Sequence, residues 1–376
     1  MSTFATVPAD RPLRVVLVGA GSMGRHWLDM LVGTPAAEVV GLVDLDLDLA
    51  RAAATERGLS IAVGDSLTAV AADVGAQAVI DVTVPPAHHA VNSEALRAGL
   101  PVLCEKPIAP TVAEALSLVA AEELSGQLLM TSQSRRYYPA LAEFKAVTSA
   151  LGDIGIVTTE FFKAPHFGGF RDEMDHPLLV DMAIHAFDVS RYLLDADPVT
   201  VDCHTFNPSW SWYRGDAAAT ATFTFDGGTR YTFTGSWCSP GLETSWNGHW
   251  RVSGAGGSST WDGEGRPEVE YLDAPTRAEV PAPIGQASVR SEIAGAFDEF
   301  VDALRTGRTP SGDVHSNIFS LAMVEGAVRS AETGATVTLA AVLEDAYRSA
   351  LVNERSDDVK AVLESWGSAS PALIGR

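Results

Sequence analysis

Two patterns of apolar and polar positions follow one another along the chain. From residue 13 to about residue 133, short apolar runs alternate with stretches of helical spacing. The apolar runs are rich in Val, Ile and Leu, as in strands that are buried on both faces. They predict five strands, at residues 13–20, 38–45, 76–84, 100–106 and 127–133. The stretches between them predict helices at residues 49–57, 90–98 and 112–124. This βαβ order predicts a parallel, doubly wound α/β sheet.

After Tyr138 the pattern predicts a second, α+β domain. Strict alternation in residues 218–237, interrupted by Asp226-Gly227-Gly228, predicts a hairpin with one wet face. The Gly- and Ser-rich residues 253–268 and the Pro- and Ala-bearing residues 273–288 predict loops or turns between strands. The other predicted elements are a strand at 156–164, helices at 140–150, 178–194, 292–306 and 317–332, and a helical tail at 342–366. We therefore expect an α/β domain over residues 1–133, an α+β domain with an open β-sheet over 134–340, and a C-terminal helical extension over 341–376.

The composition narrows the class of protein. With 376 residues and a formal charge of −22, the chain is long enough for two or three domains and repels phosphate backbones and anionic lipid headgroups. No stretch of apolar residues is long enough to indicate a membrane span. The three cysteines are an odd and sparse set, and the first residues contain no apolar signal region. We expect a cytoplasmic protein with neither a nucleic-acid nor a membrane partner.

A glycine motif directly follows the first predicted strand. The chain reads G-A-G-S-M-G there, which is the pattern G-x-G-x-x-G at the start of a helix. Gly19 makes the tight turn, Gly21 lets the backbone approach a pyrophosphate, and Gly24 lets the helix pack on the strand. Ser22 and Met23 open the helix, whose N–H groups then face the phosphates. An empty structural turn is the alternative for such a motif standing alone.

Asp44 favours the dinucleotide interpretation of this turn. It stands 20 residues after Gly24, at the end of the second predicted strand. A carboxylate at this place holds the ribose 2′-hydroxyl of NAD and repels the 2′-phosphate of NADP. The strand, turn, helix and acid in this order predict a Rossmann domain over residues 1–133 that binds NAD in preference to NADP.

Further motifs carry a resemblance to a known family. Glu105-Lys106-Pro107, at the end of a predicted strand, resembles the E-K-P motif of the Gfo/Idh/MocA oxidoreductases. Pro85 and His89 stand at that family's Pro and His positions. The segment S-Q-S-R-R-Y-Y-P-A is similar to the stretch that leaves the family's nucleotide domain, and L-L-V-D-M-A-I-H resembles its D-x-x-x-H helix. The resemblance implies an NAD(P)-dependent enzyme that acts on sugars, cyclitols or related alcohols.

The resemblance also implies site residues. His185 would be the base, Asp181 its partner or a ligand of a substrate hydroxyl, and Lys106 the electrostatic anchor. Besides the glycine motif and Asp44, the implied cofactor-binding residues are Thr83, Pro85, His89, Glu105, Lys106 and Gln133. The implied substrate-binding residues are Lys106, Arg135, Tyr137, His176, Asp181 and His185.

Elementary chemistry is compatible with these roles and leaves alternatives open. Lys106 follows a parallel strand at the edge where α/β sheets bind ligands, and a cation there stabilises an oxyanion. A surface lysine paired with Glu105 is the alternative. Asp181, His185 and Asp188 recur at helical spacing, and a histidine beside a carboxylate takes an alcohol proton near neutral pH. The wet side of an amphipathic helix is the alternative for this polar stripe.

For several other reactive or aromatic residues, a structural role explains the sequence as well as a functional one or better. Cys104 is expected to fill a buried strand rather than act as a nucleophile. His88 and His89 open a helix, where packing explains them as well as ligand contact does. Six tryptophans between residues 210 and 261 suit sugar stacking, a core or a subunit interface. No metal is expected, because a compact zinc spacing is missing from the ligand-type residues His166, His176, Asp181 and His185.

Together these observations give one hypothesis with two alternatives. The hypothesis is an NAD-dependent dehydrogenase that oxidises a secondary hydroxyl of a neutral polyol or sugar, since an acidic chain offers no general attraction for an anionic substrate. The residues 134–340 would then form a domain for substrate binding and for assembly into a homodimer or homotetramer through the second face of the sheet. The alternatives are an oxidoreductase or reductase with a tightly bound cofactor, and a non-enzymatic regulator that senses a dinucleotide.

Overall fold

The computed structural model describes residues 4–272, 291–369 and 373. Within them the chain divides into two units, which are described separately. The first unit is drawn from residues 1–134, 290–318 and 343–376, and the second from residues 135–289 and 319–342. The loop predicted at 273–288 lies outside the described residues.

A six-stranded parallel sheet runs through the first unit. Its strands are Leu13–Val18 (β1), Ala37–Val43 (β2), Ala62–Gly64 (β3), Ala78–Asp81 (β4), Val102–Glu105 (β5) and Leu129–Ser132 (β6). Its first five helices are Ser22–Val32 (α1), Leu47–Glu56 (α2), Leu67–Val74 (α3), Pro85–Arg97 (α4) and Val112–Ser125 (α5). The strand order is β3-β2-β1-β4-β5-β6, and every pair is parallel. This is the doubly wound order of dinucleotide-binding sheets, which confirms the predicted α/β fold.

The sequence pattern does not predict β3 or α3. The strand β3 has three residues, all half-buried, so its apolar run is too short to stand out. The helix α3 has eight residues and is apolar on most sides, so it lacks a clear helical period. Pairing of β3 with β2 supplies the backbone hydrogen bonds that local sequence does not encode.

A mixed eight-stranded sheet runs through the second unit. Its strands are Ile154–Phe162 (β7), Pro198–Phe206 (β8), Ala218–Phe225 (β9), Arg230–Ser236 (β10), His249–Gly254 (β11), Gly257–Trp261 (β12), Glu268–Tyr271 (β13) and Val337–Thr338 (β14). The order is β13-β12-β11-β7-β10-β9-β8-β14, and β7 and β10 form its one parallel pair among the described strands. The helices Pro139–Ser149 (α6) and Ile184–Leu194 (α7) belong to this unit.

The core of the second unit is built from alternate residues of the sheet. The ring of Phe187 in α7 lies edge-on to Phe223 and Phe233, with centroids 4.8 and 5.4 Å apart. The intervening residues of β9 and β10 are threonines that stay half-exposed. The predicted hairpin with one wet face is therefore confirmed.

The expectation that residues 253–268 are only loops or turns is wrong. They include β12, which pairs with β11 on one side and β13 on the other. Gly257, the first residue of β12, permits a close approach of β13: a β-carbon on it would lie 2.1 Å from the Glu270 carbonyl oxygen. Backbone pairing and burial of Ser259 and Trp261 form a strand where side-chain propensity predicts none.

Four helices complete the described chain, and the last part of it differs from the prediction. They are Glu292–Thr306 (α8), Val314–Thr333 (α9), Leu339–Asn353 (α10) and Asp357–Trp366 (α11). The tail is helical as expected, but residues 343–376 group with the first unit instead of standing apart. The reason is that α11 packs on α5, where the Trp366 indole donates to Glu123 Oε2 at 3.2 Å. Within the described residues, no helix has the length and apolar character that crossing a membrane requires.

Candidate functional site

The glycine turn of the first unit is shaped by close backbone contacts. Gly19 has a φ of +101°, and a β-carbon there would lie 2.6 Å from the Val82 carbonyl oxygen. A β-carbon on Gly24 would lie 2.0 Å from the Gly19 carbonyl oxygen. A β-carbon on Gly21, in contrast, would meet no described atom within 4 Å. Packing therefore requires the outer two glycines, whereas Gly21 leaves open surface before α1.

This open surface suits a pyrophosphate. Ser22 and Met23 are exposed in the first turn of α1, and no side chain caps that helix. The backbone N–H groups at a helix start attract anions. The turn thus has the cradle and the donors that a dinucleotide requires.

Asp44 is fixed beside this turn. It follows β2 directly, and its Oδ2 accepts a hydrogen bond from the Ala20 amide at 2.7 Å. Its Oδ1 accepts from the Asp46 amide at 2.8 Å. Asp46 in turn caps α2 by accepting from the amides of Asp48 and Leu49. The carboxylate predicted to bind a ribose is therefore held at the carboxyl end of the sheet by the backbone of the glycine turn.

The loop after β4 is ordered by the buried Asp81. Its Oδ1 accepts from the Thr83 amide at 3.0 Å and from the Thr83 hydroxyl at 2.6 Å. Burial raises the pKa of Asp81, and the nearby imidazole of His88 opposes that rise. Pro85 begins α4, and His89 lies half-buried in its first turns. Thr83, Pro85 and His89 therefore lie on one short segment at the carboxyl end of the sheet.

Gln133 follows β6 and carries a buried amide without a partner. The residue is 1% exposed, and neither its side-chain oxygen nor its side-chain nitrogen has a hydrogen-bond partner among the described residues. A buried amide of this kind is costly unless a ligand or water satisfies it. With the open turn and Asp44, it makes this edge of the sheet fit a dinucleotide.

The E-K-P motif is anchored through its glutamate. Glu105 is 8% exposed, and its Oε1 accepts from the Trp27 indole at 2.7 Å. Its Oε2 accepts from the Lys106 amide at 3.2 Å. Burial raises the pKa of Glu105, and the bond from Trp27 opposes that rise. Glu105 thus joins α1 to the backbone of Lys106, and the Lys106 side chain is half-buried rather than displayed on the surface.

Cys104 is buried within β5, as predicted. Its thiol is 0% exposed and donates to the Glu105 carbonyl oxygen at 3.2 Å. Burial raises the pKa of this thiol well above its usual range. The neutral thiol is a poor nucleophile.

In the second unit, the predicted D-x-x-x-H helix is not a uniform α-helix. Leu178–Ala183 form a π-helical turn, and α7 begins at Ile184. Asp181 lies in the π turn, where its Oδ2 accepts from Arg171 Nε at 2.6 Å. The Arg171 guanidinium also lies over the Phe170 ring, 4.7 Å from its centroid. Asp181 is therefore held by a cation from the preceding loop.

Asp188 does not belong to a wet stripe. It is 1% exposed, and its two oxygens accept from Arg136 Nε and Nη2, both at 2.7 Å. Ser320 donates to the same carboxylate at 2.7 Å. The amphipathic-surface alternative thus fails at this position, because a buried arginine compensates the charge.

His185 lines a small cavity within the second unit. The cavity has a volume of about 20 Å³, room for about one water molecule. Arg135 lines it too, and its Nη1 donates to the side-chain oxygen of Asn247 at 2.8 Å. Trp246 and Met182 also line the cavity and add apolar surface to it. His185 therefore sits half-buried beside a cation and a planar aromatic ring.

Tyr137 and two histidines, His176 and His166, are the remaining residues of this unit that the sequence singles out. Tyr137 is 6% exposed. His176 Nε2 lies 3.8 Å from Glu332 Oε1. His166 stacks on Trp212 with ring centroids 3.7 Å apart. Among the described residues, the groups whose ligand atoms lie within 4.8 Å of one another are Asp81 with His88 and Cys104, and Glu122 with Asp313 and His315.

The tryptophans divide between the alternatives set out for them. Trp237, Trp250 and Trp261 are no more than 2% exposed and belong to the core. Trp210 is 63% exposed and Trp246 is 40% exposed. The core interpretation is therefore right for three of them. Trp246 lines the cavity of His185 together with the buried Trp250 and Trp261.

Two family models match the sequence. The model described as an oxidoreductase family with an NAD-binding Rossmann fold matches residues 13–133, and the GFO/IDH/MocA C-terminal domain matches residues 146–260. The chain belongs to the Gfo/Idh/MocA family of oxidoreductases. Both predicted halves of the molecule thus find their counterparts in this family.

Relatives of known activity include sugar and cyclitol dehydrogenases. D-apiose dehydrogenase of Paraburkholderia graminis is 28% identical over 352 residues, which are 89% of this chain and 92% of that protein. Inositol 2-dehydrogenase 1 of Saccharopolyspora erythraea is 34% identical over 196 residues, which are 51% of this chain and 57% of that protein.

A solved oxidoreductase of Agrobacterium radiobacter, bound to NAD+, L-tartaric acid and magnesium, has a TM-score of 0.78 to this chain. Its sequence is 22% identical, and the match covers 88% of this chain and 99% of that chain. Myo-inositol 2-dehydrogenase of Lactobacillus plantarum has a TM-score of 0.71 at 22% identity, over 87% of this chain and 99% of that chain. These structures establish the shared Gfo/Idh/MocA fold.

Three supporting residues of this Gfo/Idh/MocA protein were missed by sequence reasoning. Arg171 holds Asp181, Trp27 holds Glu105, and Asn247 holds Arg135. Trp27 and Asn247 lie 78 and 112 residues away from their partners. Arg171 lies 10 residues before Asp181, in the 3-10 turn Gly169–Glu173, and the sequence gives no signal that links the two residues.

Proposed function

We propose that this oxidoreductase is an NAD-dependent dehydrogenase that oxidises a secondary hydroxyl of a sugar, glycoside or cyclitol. The observation that carries the proposal is the setting of Lys106. The buried Glu105 fixes its backbone directly after β5, in the unit whose glycine turn leaves open surface before α1. This edge of a parallel sheet is where α/β proteins bind ligands. The relatives named as apiose and inositol dehydrogenases support the substrate class.

NAD, when bound, supplies the hydride acceptor at C4 of its nicotinamide. The open turn at Gly21 and the start of α1 would hold its pyrophosphate, and Asp44 a ribose. The other residues proposed to contact it are Gly19, Ser22, Met23, Gly24, Thr83, Pro85, His89, Glu105, Lys106 and Gln133.

The protein's own residues would handle the proton and the charge on oxygen. His185 takes the proton of the substrate hydroxyl while the neighbouring C–H bond gives up its hydride, which converts the alcohol to a ketone. Lys106 donates to the same oxygen and stabilises the negative charge that develops on it. Asp181, held by Arg171, binds a substrate hydroxyl or orients His185. The substrate contacts proposed in addition are Arg135, Tyr137 and His176.

NAD is the preferred dinucleotide in this proposal, and the substrate is neutral. Asp46 and Asp48 follow Asp44 closely, so three carboxylates would face a 2′-phosphate. The net charge of −22 offers no general attraction for an anionic substrate. We also propose a homodimer or homotetramer, supported by the half-exposed threonine face of β9 and β10.

The test is NADH formation, followed by absorbance, with NAD or NADP and a panel of myo-inositol, D-apiose, monosaccharides and glycosides. We expect turnover of at least one neutral polyol or sugar. Lys106→Ala should lower kcat by about 100-fold or more, the usual effect of removing an oxyanion donor. NAD affinity should change far less than kcat, because Lys106 is only one of many proposed NAD contacts.

The matched control is Lys360→Ala, which removes a half-exposed lysine from α11 and should leave kcat unchanged. Normal turnover by Lys106→Ala would contradict the role of Lys106. NAD binding without any NADH formation would favour the regulator. NAD that stays with the purified protein until denaturation would favour the bound-cofactor oxidoreductase.

A further inference from the structure

A buried histidine connects two loops of the first unit. His88 lies in the first turn of α4 and is 0% exposed. Its Nδ1 lies 2.6 Å from the Pro107 carbonyl oxygen, and its Nε2 lies 3.0 Å from the Thr83 carbonyl oxygen. Pro107 directly follows Lys106, and Thr83 belongs to the loop after β4. One imidazole thus reaches both the E-K-P segment and the segment proposed to contact the dinucleotide.

Both contacts of this ring require an N–H donor. A carbonyl oxygen only accepts hydrogen bonds, so each ring nitrogen must carry a hydrogen for both contacts to be favourable. Asp81, also 0% exposed, lies beside the ring, with its carboxylate within 4.8 Å of His88. His88 is therefore a clamp between two backbone carbonyls and not apolar filling of a helix start.

The clamp completes the support of Lys106. On one side, Glu105 accepts from the Lys106 amide and is itself held by the Trp27 indole. On the other side, His88 holds the carbonyl of Pro107. The backbone on both sides of Lys106 is thereby fixed by buried groups, which is what precise placement of an anchoring cation requires.

We propose that His88 is a positioning residue, which sets Lys106 through Pro107 and the dinucleotide loop through Thr83. The inference rests on the proposed function, in which Lys106 holds the substrate oxygen and Thr83 contacts NAD. His88 itself touches neither substrate nor cofactor in this role.

The two halves of the clamp can be separated by substitution. The amide nitrogen of Asn can take the place of Nδ1, and that of Gln the place of Nε2. His88→Asn therefore keeps a donor to Pro107 and loses the one to Thr83, and His88→Gln does the opposite. A purely structural role would make kcat and NADH affinity follow the loss of thermal stability in both variants.

We expect opposite effects on catalysis and binding. His88→Gln should lower kcat by about tenfold or more, because misplacing an anchoring group by about 1 Å can cost about 100-fold in rate. Its Kd for NADH, measured by fluorescence, should stay near the wild-type value. His88→Asn should keep most of kcat and weaken NADH binding by about fivefold, the effect of one lost hydrogen bond.

Leu96→Ala is the matched control. It removes buried volume from the same helix and destabilises the protein by about 2–5 kcal/mol without touching either carbonyl. Its kcat and NADH affinity should be those of the wild type below its melting temperature.

The outcomes separate this inference from the proposed function. Equal losses in the two His88 variants, or losses that Leu96→Ala shares, would overturn the positioning role. Wild-type kcat and NADH affinity in both His88 variants would overturn it too. Normal turnover by Lys106→Ala, measured in parallel, would instead overturn the proposed function.

Discussion

In the proposed function, a single side chain beside the glycine turn selects NAD over NADP. One carboxylate oxygen of Asp44 accepts a hydrogen bond from the Ala20 amide and the other accepts one from the Asp46 amide. The side chain is therefore held in place without a bound ligand. A rigid carboxylate selects by charge more sharply than a mobile one, since it cannot swing away from a phosphate.

Asp44→Asn should therefore shift the preference towards NADP. The amide keeps one acceptor oxygen but removes a negative charge that would face the 2′-phosphate. Removing one repulsion of about 1–2 kcal/mol should raise the ratio of kcat/KM for NADP to that for NAD by about tenfold. The measurement is steady-state kinetics with both dinucleotides.

Asp73→Asn is the control for this change, because it removes the same charge from an exposed position on α3. Its dinucleotide ratio should equal that of the wild type. An unchanged ratio in Asp44→Asn would mean that neighbouring groups, such as Asp46, set the preference.

At this scale, the sequence predicts what depends on local geometry. Gly19 and Gly24 are required by contacts within the turn and with the next strand, and a spacing rule captures them. The partner of Asp188 is different, because Arg136 lies 52 residues away and nothing in the spacing links the two. Long-range partners of a polar side chain depend on the packed fold, so helical spacing alone does not distinguish a buried Asp188 from one on a wet helix face.

Elements were predicted best where burial imposes a pattern. The strands β1, β4, β5 and β6 are almost fully buried, and their apolar runs are unmistakable. The strand β12 was missed because its sequence G-S-S-T-W has no such run, and its pairing with two neighbours supplies the structure. The π-helical turn before α7 has no sequence rule either, since it depends on how the helix packs.

The junction of α5 with the start of α9 should make stability depend on pH. His315 lies at that start, with its Nδ1 3.3 Å from Asp313 and its Nε2 3.4 Å from Glu123 of α5. Burial alone would lower the pKa of His315, but the bonds to Asp313 and Glu123, with the charge of Glu122 nearby, raise it to about 9. The folded state thus holds this proton more tightly than the unfolded state, where the pKa is 6.5.

The sign of the pH effect follows from this difference. The stabilisation is fully present below pH 6.5, declines as the pH rises, and is lost above about pH 9. Its upper limit is about 3.5 kcal/mol, since one pKa unit corresponds to about 1.4 kcal/mol. We expect the urea concentration at the unfolding midpoint of the wild type to decrease as the pH is raised from 7 to 9. The decrease should be smaller in His315→Gln.

His204→Gln is the control, because its side chain is 72% exposed. It should leave the slope of midpoint against pH unchanged. Parallel curves for the wild type and His315→Gln would contradict the prediction, because they would show that protonation of His315 does not stabilise the fold.

For the whole molecule, the sequence predicted the two fold classes but not how the chain is shared between the units. The pattern changes once, near Tyr138, so a linear reading places everything after it in later domains. Residues 290–318 and 343–376 nevertheless group with the first unit. Helical spacing reports which face of α11 is apolar, but not that α5 is the surface it covers.

Assembly is the last property argued from the whole molecule. On the second sheet, Thr222 of β9 faces Thr232 of β10 across the strand pair, on the side away from the aromatic core. Flat, half-exposed threonine rows allow a second copy to approach closely.

We expect light scattering to give two or four times the chain mass of 39.6 kDa. Thr222→Glu should shift the protein towards the monomer, because a symmetric interface brings two like charges together, whereas Thr55→Glu on α2 should not. A wild-type mass of one chain would contradict the proposed oligomer.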